Sequence, residues 1–167
     1  TAEPRSLRRR AARQRNIEMP LLFRFNGILR HRVRAIGAAF QAAITEYDFQ
    51  GKYCPIFPIK VNQERHVVDV INEAGLPFNM GLEVGSKPEL MAVLAIQDNP
   101  EALLVCNGYK DRRYIELALM AKRVGRRPVI VIEKPSEIAL VLDTTGSMAG
   151  GKLVAMLVTR RYEERTK

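Results

Sequence analysis

Lys60 is the residue on which chemistry can be built. It closes the apolar run Tyr53-Cys54-Pro55-Ile56-Phe57-Pro58-Ile59 and is followed at once by Val61-Asn62-Gln63. A short apolar run between Gly51 and a helical pattern reads as the buried strand of a βα unit, with Lys60 at its C-terminal end. In α/β folds that end is where reactive groups are placed. An amine held among Ile56, Phe57 and Ile59 is expected to be disfavoured in its charged form. A neutral amine attacks aldehydes to form Schiff bases, pyridoxal phosphate being the commonest aldehyde cofactor. The plainer alternative is a solvated lysine at a strand end, and Pro55 and Pro58, which lack a ladder donor, count against a regular central strand.

The elements that must hold this lysine recur with a period. Apolar strands are expected to begin near Cys54, Phe78, Leu103, Pro128 and Leu153, with a helix between each pair. Ahead of them, residues 21–25 read as a short strand and Asn26 as the cap of a helix whose core stripe is Leu29, Val33, Ile36, Phe40 and Ile44. The helix after Lys60 should end at Gly75, before Pro77. Ser86 and Glu89 have capping-box spacing around Pro88, Asp111 is placed to cap the next helix, and Ser136 a short one through Leu142. Residues 143–152, with Gly146, Gly150 and Gly151, read as a loop. Alternating strand and helix means parallel βαβ units, and strands apolar throughout suggest cover on both faces. A doubly wound sheet and a (β/α)₈ barrel both fit this pattern.

The net charge of +9 is concentrated at one end. Residues 1–34 hold ten arginines against Glu3 and Glu18, whereas residues 35–167 hold 17 basic and 16 acidic side chains. Residues 1–19 are therefore read as a basic, flexible segment, 20–158 as the globular domain and 159–167 as a polar tail. A nucleic-acid or acidic-lipid partner would have to be met by the leading segment, which makes a non-catalytic basic binding protein the alternative from a different class. Cys54 and Cys106 lie in apolar runs and read as buried free thiols of a reducing, cytoplasmic compartment. No metal site is expected, His31 reads as a surface side chain, and no run is apolar enough to span a membrane.

Several blocks together carry a resemblance. Pro58-Ile59-Lys60-Val61-Asn62-Gln63, Arg65-His66-Val67-Val68, Gly81-Leu82-Glu83, Gly85-Ser86-Lys87-Pro88-Glu89-Leu90 and Cys106-Asn107-Gly108-Tyr109-Lys110-Asp111 follow one another in an order that resembles biosynthetic arginine decarboxylases of the bacterial and plant type. The resemblance implies part of a (β/α)₈ barrel of the alanine-racemase and ornithine-decarboxylase kind, without its later strands and second domain. It further implies pyridoxal 5'-phosphate as a Schiff base on Lys60, with Glu83 and Ser86 also at the cofactor, and conversion of arginine to agmatine and carbon dioxide on the way to polyamines. Decarboxylation of ornithine or diaminopimelate is the near alternative. Mg2+ and a homo-oligomer follow from the same resemblance. No role follows for Asn62, Arg65 or His66. The glycine-rich phosphate loop and the acid that pairs with the pyridine nitrogen belong to parts of the family beyond this text, so the chain alone is expected to be inactive.

Overall fold

The computed structural model describes residues 9, 10, 12–16, 18, 20–147 and 156–158. Five strands form one sheet: β1 (Ile56–Pro58), β2 (Gly81–Val84), β3 (Leu103–Cys106), β4 (Arg127–Ile132) and β5 (Met156–Val158). The helices that accompany them are α1 (Asn26–Glu46), α2 (Arg65–Gly75), α3 (Lys87–Ile96), α4 (Arg112–Arg123) and α5 (Pro135–Ser147). All four strand pairings are parallel, and the order across the sheet is β1-β2-β3-β4-β5. A doubly wound sheet reverses its order at a switch point. Here each βα unit steps one place in the same direction, the winding of a barrel.

The strands are not covered equally on both faces. Leu82, Val84, Leu104, Cys106, Ile130 and Ile132 are buried and pack with Leu90, Val93, Ile115, Ala118, Leu119 and Val141 of the helices into one core. The alternate positions Glu83, Leu103, Val105 and Val129 are only half-buried. The sequence suggested cover on both faces; the structure shows one helix-packed face and one half-open face, the lumen side of a five-strand arc.

Several local expectations are corrected. Residues 21–25 are not a strand. The α1 cap position is Phe25, without a side-chain hydrogen bond, and not Asn26. In α1, Ile36 and Phe40 are exposed, while Leu29, Val33 and Ile44 are half-buried and Gly37 alone is buried. The helix docks through the glycine, where an added Cβ would lie 2.4 Å from the Phe78 ring, and through an Arg30–Glu73 ion pair at 2.6 Å. Residues 76–78 form a 3-10 turn, so β2 starts at Gly81 and not at Phe78. Helix α5 begins at Pro135, leaving Ser136 inside it, and runs to Ser147 in place of the expected loop from 143; positions 148–155 lie outside the described residues. Cys54 is exposed and only Cys106 is buried; both are free. His31 is exposed, as expected. Arg9, Arg10 and residues 12–14 are helical, and no helix among the described residues is long and apolar enough to cross a membrane.

Candidate functional site

The C-terminal ends of β1, β2 and β3 bring together the site. Pro58 ends β1, and the chain turns at once through a 3-10 helix, Ile59–Val61, whose middle residue is Lys60. The turn keeps Ile59 in the core at 4% exposure and throws Lys60 outward. The Lys60 side chain is 66% exposed. The expectation of an amine enclosed by Ile56, Phe57 and Ile59 is therefore corrected: β1 is an edge strand of the described sheet, and water reaches the side chain.

Glu83 stands on β2 opposite Pro58 in register, on the half-open face. Its Oε1 lies 3.8 Å from Lys60 Nζ, and Asn107 Nδ2 donates to the same oxygen at 3.4 Å. Asn107 directly follows β3, and its backbone N–H donates to Val84 O at 2.8 Å. Lysine, carboxylate and amide thus come from the ends of three consecutive strands. Ser86, the third expected site residue, lies three positions beyond Glu83, and its hydroxyl accepts from Glu89 N–H at 3.4 Å at the start of α3.

Sequence reasoning foresaw the cap but not the destination of Glu89. Its Oε2 accepts from Gly85 N–H at 2.7 Å, one residue earlier than a capping box requires, and its Oε1 accepts from Gln63 Nε2 at 2.8 Å. Glu89 therefore ties the loop after Lys60 to the loop after Glu83. Asn62 has a local role: its Oδ1 accepts from Glu64 N–H at 3.0 Å, ahead of α2. Arg65 pairs with Asp69 and His66 with Glu64, both along the surface.

The loop after β3 is held tightly. Gly108 has φ +74, and a Cβ there would lie 2.4 Å from Gly85 O. Glycine is demanded twice, by the left-handed backbone and by the close approach. Gly108→Ala is expected to destabilise the fold by at least about 2 kcal/mol, read as a lower urea midpoint; an unchanged midpoint would mean that the two loops are free to separate. Beneath this loop, Tyr114 OH lies 3.1 Å from both Val84 O and Asn107 O, sharing its one proton between two strand-end carbonyls. Burial pushes the Tyr114 hydroxyl well above its ordinary range and the Cys106 thiol up to about 12, so both stay neutral.

Two ion pairs flank the loop and were not foreseen. Lys87 pairs with Asp111, whose other oxygen caps α4 by accepting from Tyr114 N–H at 2.9 Å. The Lys87 bond, then the Tyr114 N–H, hold the Asp111 carboxyl below its ordinary value. Lys110 and Glu137 form the second pair, at 3.4 Å, with side chains 0% and 7% exposed. Burial pushes the Glu137 carboxyl up, but the Glu133 N–H, the Lys110 ammonium and the Lys134 N–H outweigh it and hold it below the ordinary 4.5. A carboxyl lowered by folding adds stability that is present above its unfolded value and is lost as pH falls through its folded value. Acidification below about pH 4.5 should therefore lower the urea midpoint, and Glu137→Gln should flatten that acid limb while weakening the fold at neutral pH. An equally steep limb in the variant would place the titration elsewhere.

Comparison with known proteins follows the same region. The family described as pyridoxal-dependent decarboxylase, pyridoxal binding domain, matches residues 33–161. The biosynthetic arginine decarboxylase of Parasynechococcus marenigrum (strain WH8102) is 47% identical over 144 residues, 86% of this chain and 22% of the relative. That of Thermosynechococcus vestitus (strain NIES-2133 / IAM M-273 / BP-1) is 50% identical over 138 residues, 83% of this chain and 22% of the relative. The crystal structure of a biosynthetic arginine decarboxylase from Campylobacter jejuni superposes with a TM-score of 0.81 at 27% identity, covering 92% of this chain and 25% of that one. The chain spans about a fifth to a quarter of the length of these relatives.

Proposed function

The chain belongs to the pyridoxal-dependent decarboxylases, as their pyridoxal-binding domain, and on that premise we propose that it is the cofactor-attaching part of an arginine decarboxylase. The observation that carries the reading is the Lys60–Glu83 pair, 3.8 Å apart at the C-terminal ends of adjacent parallel strands. The cofactor fits these residues on their chemistry: an accessible primary amine can take an aldehyde carbon, and a carboxylate already bonded to the Asn107 amide stands beside it. When bound, pyridoxal phosphate supplies the electron sink for loss of carbon dioxide.

The chain's own residues do the rest. Lys60 would hold the cofactor through its primary amine, which stands free of the core at the strand end. Glu83 orients the lysine and offers a carboxylate through which a proton can be held near it. Ser86 and the N-terminus of α3 present a hydroxyl and a positive dipole end on the same side. Gln63 and Glu89 keep the Lys60 loop and the Gly85 loop in register. The names of the relatives favour arginine over ornithine or diaminopimelate, with agmatine as product. A homo-oligomer, Mg2+ and a cytoplasmic location are carried as parts of the same proposal, with no described residue assigned to the metal.

The test is attachment. After incubation with pyridoxal phosphate and borohydride reduction, peptide mapping should find the label on Lys60, and Lys60→Arg should remove it. Label concentrated on another lysine, with Lys60 unmodified, overturns the assignment.

A further inference from the structure

We infer that Lys110, clamped by Glu137, is a positioning residue for the site: it fixes the loop after β3 so that the Asn107 amide faces Glu83 beside Lys60. The inference rests on the reading of Lys60 as the attachment point, but its geometry is that of the protein alone. Lys110 Nζ donates to Gly108 O at 2.5 Å and to both Glu137 oxygens at 3.4 and 3.5 Å. Glu137 Oε2 in turn accepts from Glu133 N–H at 2.9 Å and Lys134 N–H at 3.4 Å. The pair therefore bolts the loop after β3 to the turn after β4.

On its other side the same loop sets the amide. Gly108 N–H donates to Asn107 Oδ1 at 2.8 Å. With its oxygen so engaged, Asn107 is left with its NH2 group toward Glu83 Oε1. A run of contacts thus joins Glu137, Lys110, the Gly108 carbonyl, the Asn107 amide and Glu83 to Lys60.

Stability alone does not account for this pair. Taking both charges out of water is costly, and an apolar pair of similar volume is often as stable or more so. What an apolar pair cannot do is hold the Gly108 carbonyl. Lys110 uses its third donor there, which gives the buried charge a task in orienting the loop.

The experiment separates positioning from folding. Lys110→Met/Glu137→Leu replaces the pair by apolar side chains and leaves no orphaned charge, whereas either single change does. Asn107→Asp keeps the acceptor for Gly108 N–H and removes the donor to Glu83. Two readouts are taken on the full chain: amide hydrogen exchange across residues 107–109, and the rate of borohydride-trapped pyridoxal phosphate labelling at Lys60 relative to exposed Lys52. In the double variant, exchange should speed up at least tenfold. In both variants labelling at Lys60 should slow about threefold, the size of one exposed ion-pair contact, because Glu83 is released to close on the Lys60 ammonium.

Wild-type exchange and labelling in a folded double variant would overturn the inference. If the double variant fails to fold, Lys110→Gln decides: exchange across residues 107–109 and labelling at Lys60 as in the wild type overturn the inference, and faster exchange there with slowed labelling and unchanged exchange in β2 supports it. If wild-type Lys60 takes no label, the functional reading fails, and exchange in the double variant still shows whether the pair fixes the loop.

Discussion

Arginine incubated with this 167-residue chain and pyridoxal phosphate will release no carbon dioxide above background, even where Lys60 takes the aldehyde. Attachment needs only a reachable amine, and Lys60 is 66% exposed. Decarboxylation needs more. Electrostatic help at a reacting centre depends on a low local dielectric: unit charges 4 Å apart interact by about 4 kcal/mol at the effective dielectric of a protein site but only about 1 kcal/mol in water. Of the Lys60–Glu83 pair at 3.8 Å, Lys60 follows the edge strand of the described sheet and is open to water, while Glu83 stands half-buried on β2, so the contact is screened from the Lys60 side. A loss of about 3 kcal/mol at one contact is already more than a hundredfold in rate. Assay of agmatine or labelled carbon dioxide checks this, and turnover at a rate ordinary for an enzyme would show that the five-strand arc excludes water well enough by itself.

The sequence made the architecture legible because burial on the helix side imposes a strong pattern. Strand starts near Leu103 and Pro128, the end of α2 at Gly75, and the caps at Ser86 and Asp111 follow from apolar runs and turn chemistry that act locally. Barrel winding could not be told from a doubly wound sheet on spacing, since both share the βα repeat; the blocks that resemble arginine decarboxylases decided it, and the strand order agrees.

The site was legible as far as each residue stands at a strand end. Lys60 and Glu83 do meet. What could not be read is whatever depends on distant partners. Lys60 looked enclosed because its neighbours in sequence are apolar, but a 3-10 turn at a sheet edge turns it to water. Ile36 and Phe40 have core spacing, yet α1 packs through Gly37 and leaves them outside. Lys110 and Glu137 are 27 positions apart, so no local pattern joins them. The one local signal was Glu137 three residues after Lys134, the spacing of a carboxylate that returns to its own helix start.

The chain in solution is expected to self-associate, with scattering mass that rises with concentration. β1 and β5 each have one neighbour in the described sheet, so each presents a row of unpaired donors and acceptors, the usual template for edge-to-edge pairing. Beside β1 the surface is apolar as well. Phe40 stacks on Tyr53 at 4.1 Å, and with Ala43, Ile44, Tyr47 and Phe49 they line an open groove of about 400 Å³ with Lys52 as its sole charged residue. Tyr47 and Phe49 are 75% and 61% exposed, and Ile36 adds a further exposed apolar side chain from α1. An exposed apolar groove and an open strand edge are both surfaces through which chains associate. Tyr47→Lys and Phe49→Lys together put charge at the mouth of the groove without touching the helix-packed core, and they should shift the light-scattering profile toward the monomer. A wild-type chain that stays monodisperse and monomeric as concentration is raised would show that the edge at β1 and the groove beside it are protected, and the same protection would then have to be reconsidered at Lys60.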